Sequence, residues 1–227
     1  MVTLMTNDQE TTTGAQVLES YTRTGDNGTT TLGDQREVSK TDLRLQAFGD
    51  CEEANAAIGV VLALGGTIPH DIMNLLARIQ NDLFDVSTDL YAPISTEGDP
   101  EQVRVNQAYV DYLERACDHN NQELPQLRSF VLPGGTVAAA LLHRARTVVR
   151  RAERSTWQAL AQHGEQMNPW TATYLNRLSD LLFIIGRAAN AEHGDTLWHP
   201  GITALQAEEA EQAQEQEERE SPAEQSS

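Results

Sequence analysis

Positive charge is scarce in this sequence. Its 227 residues carry 16 Lys and Arg, of which Lys40 is the single lysine, against 34 Asp and Glu, for a formal net charge of −18. Such a chain repels nucleic acid and anionic membranes at long range, so an anionic ligand must be caught by a local cluster of cations. Aromatic residues are few as well, at 5%, while alanine is plentiful, a balance that leans toward packed helices rather than a β-sandwich. The cysteines, Cys51 and Cys117, lie far apart with no CxxC or metal-type spacing, and are expected as two reduced, buried thiols. No basic residue precedes Arg23, so residues 1–20 do not read as an ordinary signal or Arg-rich transit peptide. The longest nearly apolar run, "AAIGVVLALGG", falls short of the ~18–20 residues of a membrane span. A soluble, cytoplasmic protein with no nucleic-acid or membrane partner is expected. HExxH, GxSxG and Glu-x-x-His are all missing, and no two histidines share metal-ligand spacing on a helix face. Any chemistry here is expected to rest on charge stabilisation and orientation more than on proton transfer.

What is present is helical periodicity between two polar ends. Residues 1–19 lack sustained patterning and read as a mobile leader. Residues 201–227 form an acidic tail whose last stretch, "QAEEAEQAQEQEERESPAEQSS", cannot build a core; solvated disorder is expected, with a frayed helix as second choice. Between them, residues 20–200 read as one all-α domain. Phe48, Cys51, Asn55, Ile58 and Leu62 step 3, 4, 3, 4 and mark a first helix over about 42–64. Ile72, Leu75, Leu76, Ile79, Leu83, Val86 and Leu90 mark a second, which stops before Pro93. A weaker third covers about 102–120. After the break "LPGG" a fourth runs over about 136–163, and "MNPW" starts a fifth, capped by Asn168, which runs to about 192. Long helices joined by short breaks predict a five-helix antiparallel bundle of ferritin-like type.

Two stretches carry chemistry. The first, "TRTGDNGTTTLG" at 22–33, is rich in backbone N–H and hydroxyl donors, which suits an anion, although it lacks the GxxxxGK[ST] spacing of a P-loop. The second is "LLHRARTVVRRAERS", which places Arg144, Arg146, Arg150, Arg151 and Arg154 within eleven residues. At about 100° per residue, His143, Arg146, Arg150, Glu153 and Arg154 fall on one arc, opposite Leu141, Ala145, Val148 and Ala152. A solvated, salt-bridged face is the plain alternative. All five cations being arginine, whose forks match phosphate oxygens, favours a polyphosphate ligand. On the fifth helix, Asn176, Asp180, Phe183, Arg187 and Asn190 step 4, 3, 4, 3 beside an aliphatic face. Such a stripe is either a site or subunit seam, or a hydrogen-bonded polar layer inside the bundle.

Three blocks, "YTRTGDNGTTTLG" with "SKTDLRLQAFGDCEEAN", "FVLPGGTVAAALLHRARTVVRRAERS" and "NRLSDLLFIIGRAAN", together resemble the PduO-type cobalamin (corrinoid) adenosyltransferases. The resemblance runs from about Tyr21 to Trp198, with the blocks in the same order and at similar separations. It implies a homotrimer with active sites between neighbouring subunits. It implies transfer of the 5′-deoxyadenosyl group of ATP to the cobalt of reduced cobalamin, with Mg²⁺ on the phosphates, release of triphosphate, and a cobalamin reductase and a cobalamin-dependent mutase as upstream and downstream partners. Metal ligands from protein side chains are not expected.

The same resemblance implies residue roles. Thr22, Arg23, Thr24, Gly25, Asp26, Gly28, Thr30 and Thr31 form the nucleotide loop, with Arg23 where the family usually has lysine. Lys40 reaches the nucleotide. Arg150, Arg151, Glu153 and Arg154 line the ATP site, with Asn176 as partner. Phe130 blocks the lower face of the corrin, with Phe183 and Asp180 on the corrin side; Phe130, Arg150 and Phe183 are the expected catalytic set. Arg146 pairs across the subunit boundary with an acid of the family's "DELN", which here reads "EEAN" and offers Glu52. The family's "RYAN" reads "RAAN", with Ala188 in place of tyrosine. A non-catalytic ATP or corrinoid carrier on the same bundle is the rival reading, and a purely structural helical trimer a more distant one.

Overall fold

A computed structural model describes residues 24–94 and 102–220. A short antiparallel hairpin, β1 (Thr29–Thr31) and β2 (Glu37–Ser39), precedes the helices α1 (Leu43–Leu64), α2 (His70–Tyr91), α3 (Gln107–Asn121), α4 (Val137–His163), α5 (Trp170–Ala188) and α6 (Ile202–Glu220). The first five form the bundle expected from the periodicity. Successive helices reverse direction, so the starts of α1, α3 and α5 share one end, here the upper, with the ends of α2 and α4. Cross-links fix this arrangement: Cys51 Sγ donates to Leu83 O between α1 and α2, Tyr109 Oη to Asp85 Oδ2 between α3 and α2, and Arg151 Nε to Asp50 Oδ1 between α4 and α1.

Each helix follows from local chemistry. The Asp42 carboxylate accepts from Arg44 N at 2.8 Å and caps α1; Thr136 Oγ1 accepts from Ala139 N at 3.1 Å and caps α4. The buried stripe of α1 is Ala47, Cys51, Ala54, Ile58 and Val61. It is turned from the one read in the sequence, because α1 is covered by both α2 and α4. Asn55 sits at its margin, exchanging hydrogen bonds with Gln80 on α2. Leu142, Leu175, Leu178, Leu181 and Tyr174 are fully enclosed at the centre, and each such side chain contributes about 1.5–3 kcal/mol on burial.

Four expectations shift. The third helix starts at Gln107, later than 102, because Val105 N and Arg104 are spent on the buried Asp89 carboxylate (2.8 and 2.6 Å). Asn168, whose Nδ2 also donates to Asp89, caps α5 through Trp170 N at 3.1 Å. The fifth helix ends at Ala188 rather than 192, since Asn190 turns its amide toward the "LPGG" break. The tail, expected as disorder, carries α6, exposed at each residue whose side chain is described; this is the second choice the composition allowed. Cys51 is buried and Cys117 half-buried, both as free thiols. Among the described residues no helix is long and apolar enough to cross a membrane.

Candidate active site

At the upper end, the Gly-Thr loop is a turn feeding β1. Gly25 and Gly28 both take positive φ, +80° and +86°, and Gly28 N donates to Gly25 O at 3.2 Å. Lys40 N donates to Gly28 O at 2.9 Å, which folds the lysine back over the turn. A Cβ on Gly25 would lie 3.0 Å from Lys40 Nζ and 2.9 Å from Thr29 O, so glycine is required there by both backbone and space. The fold thus unites Thr24, Gly25, Asp26 and Gly28 with Lys40, which are far apart in sequence. Thr30 is half-buried and Thr31 exposed; Tyr91 Oη donates to Thr31 O at 2.8 Å and ties the hairpin to α2. Thr22 and Arg23 lie outside the described residues.

The arginine helix divides by function. Arg151 Nε donates to Asp50 Oδ1 at 3.0 Å and its NH2 pairs with Glu53, so this cation is spent on fastening α4 to α1. Ser155 Oγ adds a bond to the same Asp50 carboxylate. Arg150 and Arg154 are exposed, and among the described residues neither has a carboxylate within ion-pair distance; Arg154 donates only to Arg150 O, at 3.1 Å. Glu153 is half-buried between them. Arg146, one turn lower, has its guanidinium carbon 5.8 Å from the Phe183 ring, and its Nε is buried without a hydrogen-bond partner. Burial, and then the charge of Arg150, push Arg146 below the usual arginine range. Glu52 is exposed on α1 and makes no pair with Arg146 in this chain.

His143 corrects the helical-wheel reading. It was expected on the arginine arc but is 2% exposed, packed against Phe183 at 5.9 Å with neither ring nitrogen hydrogen-bonded. The cause is α5, which covers this side of α4, so the imidazole lies beside Gly186 and against the Phe183 ring. Burial, then Arg146, hold His143 below its ordinary pKa, while Asp195 pulls weakly the other way.

The stripe on α5 also splits. Asn176 and Asp180 are exposed, but Asp180 accepts from Arg177 at 2.7 Å and lines a groove of about 350 Å³ between α3 and α5, away from Arg150. Phe183 is half-buried between them and the lower residues. Arg187 and Asn190 belong to the buried polar layer that was the alternative reading: Arg187 donates to Asp195 Oδ2 and Pro125 O, both at 2.7 Å. Asn190 accepts from Thr136 N at 2.9 Å and donates to Gly134 O at 3.0 Å, locking the "LPGG" break.

At the lower end, Phe130 is 77% exposed, and its ring meets that of Trp198 at 5.8 Å. Phe130 and the Gly-Thr turn therefore stand at opposite ends of α4, whose 27 residues span about 40 Å. Along α4 a track runs from Arg154 past Arg150 and Arg146 to the Phe183 ring on α5. The sequence reading had no role for Asp50, Asp89, Asp195 or Trp198.

A family model described as cobalamin adenosyltransferase matches residues 20–189. The chain is 57% identical over 181 residues to a corrinoid adenosyltransferase of Mycobacterium tuberculosis, covering 80% of this chain and 93% of that protein. It is 43% identical over 189 residues to a cobalamin adenosyltransferase of Cupriavidus metallidurans, covering 82% and 96%. Among solved structures, a variant PduO-type ATP:corrinoid adenosyltransferase from Lactobacillus reuteri, complexed with cobalamin and ATP, matches with a TM-score of 0.72 at 35% identity, over 80% of this chain and 99% of that one. By sequence over most of its length and by the architecture of its bundle, the chain belongs to the cobalamin adenosyltransferase family.

Proposed function

We propose that this protein is an ATP:cob(I)alamin adenosyltransferase, moving the 5′-deoxyadenosyl group of ATP onto the cobalt of a reduced corrinoid and releasing triphosphate. The observation that carries the site assignment is the division of labour on α4. Arg151 is neutralised by Asp50 and Glu53, while Arg150 and Arg154 keep exposed guanidinium groups with no carboxylate partner among the described residues. In a chain this acidic, uncompensated arginines on a rigid helix favour a polyanion. Thr24, Gly25, Thr30 and Thr31 supply backbone and hydroxyl donors to the phosphates, Lys40 adds its ammonium, and Asp26 and Gly28 shape the turn; Thr22 and Arg23 are assigned the same role from the sequence. Asn176 and Glu153 orient the nucleotide beside Arg150.

The bond-making step needs no protein base. Co(I) provides both electrons of the new Co–C bond, the C5′–O bond breaks, and its electron pair departs on triphosphate. Charge on the leaving group is what the protein must stabilise, and arginines held on a helix do so without reorganising. Neither thiol competes as nucleophile: burial pushes Cys51 up to about 12 and Cys117 up to about 11. Mg²⁺ fits as a passenger of the triphosphate, where it neutralises phosphate charge. Among the described residues no group of three or more acidic, His or Cys side chains gathers to cage a metal.

Phe130 occupies the lower corrin face and Phe183 its side, favouring cobalt without a lower axial ligand, which accepts an electron more readily. The Gly-Thr turn and Phe130 are at opposite ends of one chain, so a complete site draws on two copies. A homotrimer meets this need, with Glu52 of one copy pairing with Arg146 of the next. The protein works in the cytoplasm with a reductase that supplies the low-valent cobalt and a mutase that uses the product. The deciding experiment mixes protein, Mg-ATP and chemically reduced cobalamin, following the corrin spectrum and triphosphate release. Stoichiometric Co–C bond formation is expected. Nucleotide binding without a new Co–C bond would instead mark the protein as a carrier.

A further inference from the structure

The chain beyond α5 does not leave the bundle at once. It turns at Gly194, where φ is +77°, and runs back beside residues 129–132. Leu132 N donates to Thr196 O at 2.8 Å, Trp198 N donates to Phe130 O at 2.7 Å, and Ser129 Oγ donates to Trp198 O at 2.8 Å, around a Val131–Leu197 bridge. The start of this strap is anchored by the buried Arg187–Asp195 pair, whose arginine also reaches Pro125 O. The indole of Trp198, 45% exposed, tilts at 58° against the Phe130 ring. Among the described residues Trp198 is the one ring that Phe130 meets; Phe130 O accepts from Trp198 N, and the flanking Ser129 and Leu132 are tied to the same strap.

We infer that Trp198 is a positioning residue for the corrin site: the strap 195–198 fixes Phe130 in the orientation that meets the corrin, with the indole as its lateral wall. This role rests on the reading of Phe130 as the residue at the lower corrin face. An exposed phenylalanine with nothing beside it samples several rotamers, and only one can stand where an axial ligand would bind. Tilted aromatic packing removes that freedom before the substrate arrives. Trp198 packs on Phe130, at the opposite end of α4 from the Gly-Thr turn, so its influence falls on cobalt chemistry rather than on nucleotide capture.

The test uses the full chain with Trp198→Ala, Trp198→Phe and Phe130→Ala. Cob(II)alamin is added with Mg-ATP, and the share of cobalt that has lost its lower axial ligand is read by electron paramagnetic resonance and visible spectra. Trp198→Ala is expected to reduce that share and to lower kcat roughly 2- to 10-fold, the weight of one aromatic pair, with KM for ATP and the melting temperature unchanged. Trp198→Phe restores most of both. If Phe130→Ala abolishes the spectral change and Trp198→Ala leaves it intact, the role of Trp198 is overturned while that of Phe130 stands. If Phe130→Ala has no effect, the reading of Phe130 itself falls. Loss of ATP affinity or a large drop in melting temperature with Trp198→Ala would also overturn it, reducing the strap to scaffolding.

Discussion

The two ends of the bundle hold their groups in opposite ways. At the upper end the proposed nucleotide contacts are exposed donors: a glycine turn, a lysine folded over it, and two arginines that have no carboxylate partner among the described residues. At the lower end one exposed aromatic residue stands on a dense buried framework made by Asn190, Arg187, Asp195 and the strap to Trp198. Charge acts over several ångströms and tolerates adjustment, so an anion site can leave its cations exposed until the ligand arrives. Blocking one face of a metal centre is a steric task, sensitive to a fraction of an ångström, and needs a fixed support.

Breaking the upper end should show the largest effect. Arg150→Ala removes a charge-assisted contact of about 1.5–3 kcal/mol, so kcat/KM for ATP should fall roughly 10- to 150-fold in steady-state assays. Near-wild-type kinetics would contradict the assignment of Arg150. The cobalt spectrum with bound cob(II)alamin, at saturating ATP, should change little.

The seam between copies comes next. Charge reversal as Glu52→Arg or Arg146→Glu should weaken assembly or activity by roughly tenfold each, and the double reversal should recover part of it, as judged by sedimentation and turnover. Independent, additive losses would remove this pair from the site.

At the lower end, Asn190→Ala leaves Thr136 N and Gly134 O without their partner and should cost roughly 1–3 kcal/mol of stability, seen as a melting temperature lower by several degrees. Its activity loss should fall on kcat rather than on KM for ATP, the reverse of Arg150→Ala. The same split in both variants would erase the contrast between the ends.

The smallest effect is one of pH. His143 has a folded pKa below its unfolded value near ~6.5, so the unfolded chain takes up the proton first. Stability is therefore full above about pH 6.5, drains as pH falls below it, and levels off once the folded imidazole is protonated. Burial, and then the charge of Arg44, lower His163 as well against the pull of Asp42, and it acts in the same direction. Denaturant titrations between about pH 5 and pH 8 should show a shallower slope for His143→Gln than for the native chain. An unchanged slope would assign the effect to His163.

Comparing pattern with fold shows which physics is local. Helix α4 was legible almost to the residue, because Thr136 caps it, Gly164 stops it, and its apolar face repeats over 27 residues. The third helix was misjudged because its first turn is surrendered to Asp89, a partner 15 and 16 residues away from Arg104 and Val105 that no periodicity reports. His143 was misplaced for a related reason: a helical wheel gives direction, but which side of α4 is covered is decided by α5, whose Phe183 packs on the imidazole. Candidate residues in the loop and on α4 were found through motif and charge, whereas their sorting into fastening and free arginines required Asp50 and Glu53 beside them. Asp180 matched its motif, yet in this chain its carboxylate is engaged by Arg177.

The order of helices, their apolar faces, the arginine stripe and the glycine turn were determined by the sequence alone, since each depends on residues within a few positions of one another. Which arginines remain unpaired, where the lone lysine points, and how Phe130 is held were decided only by the tertiary structure. Those outcomes depend on which side chains distant in the chain come to share a surface, and charge and steric fit are settled by the neighbour, whatever the spacing along the chain.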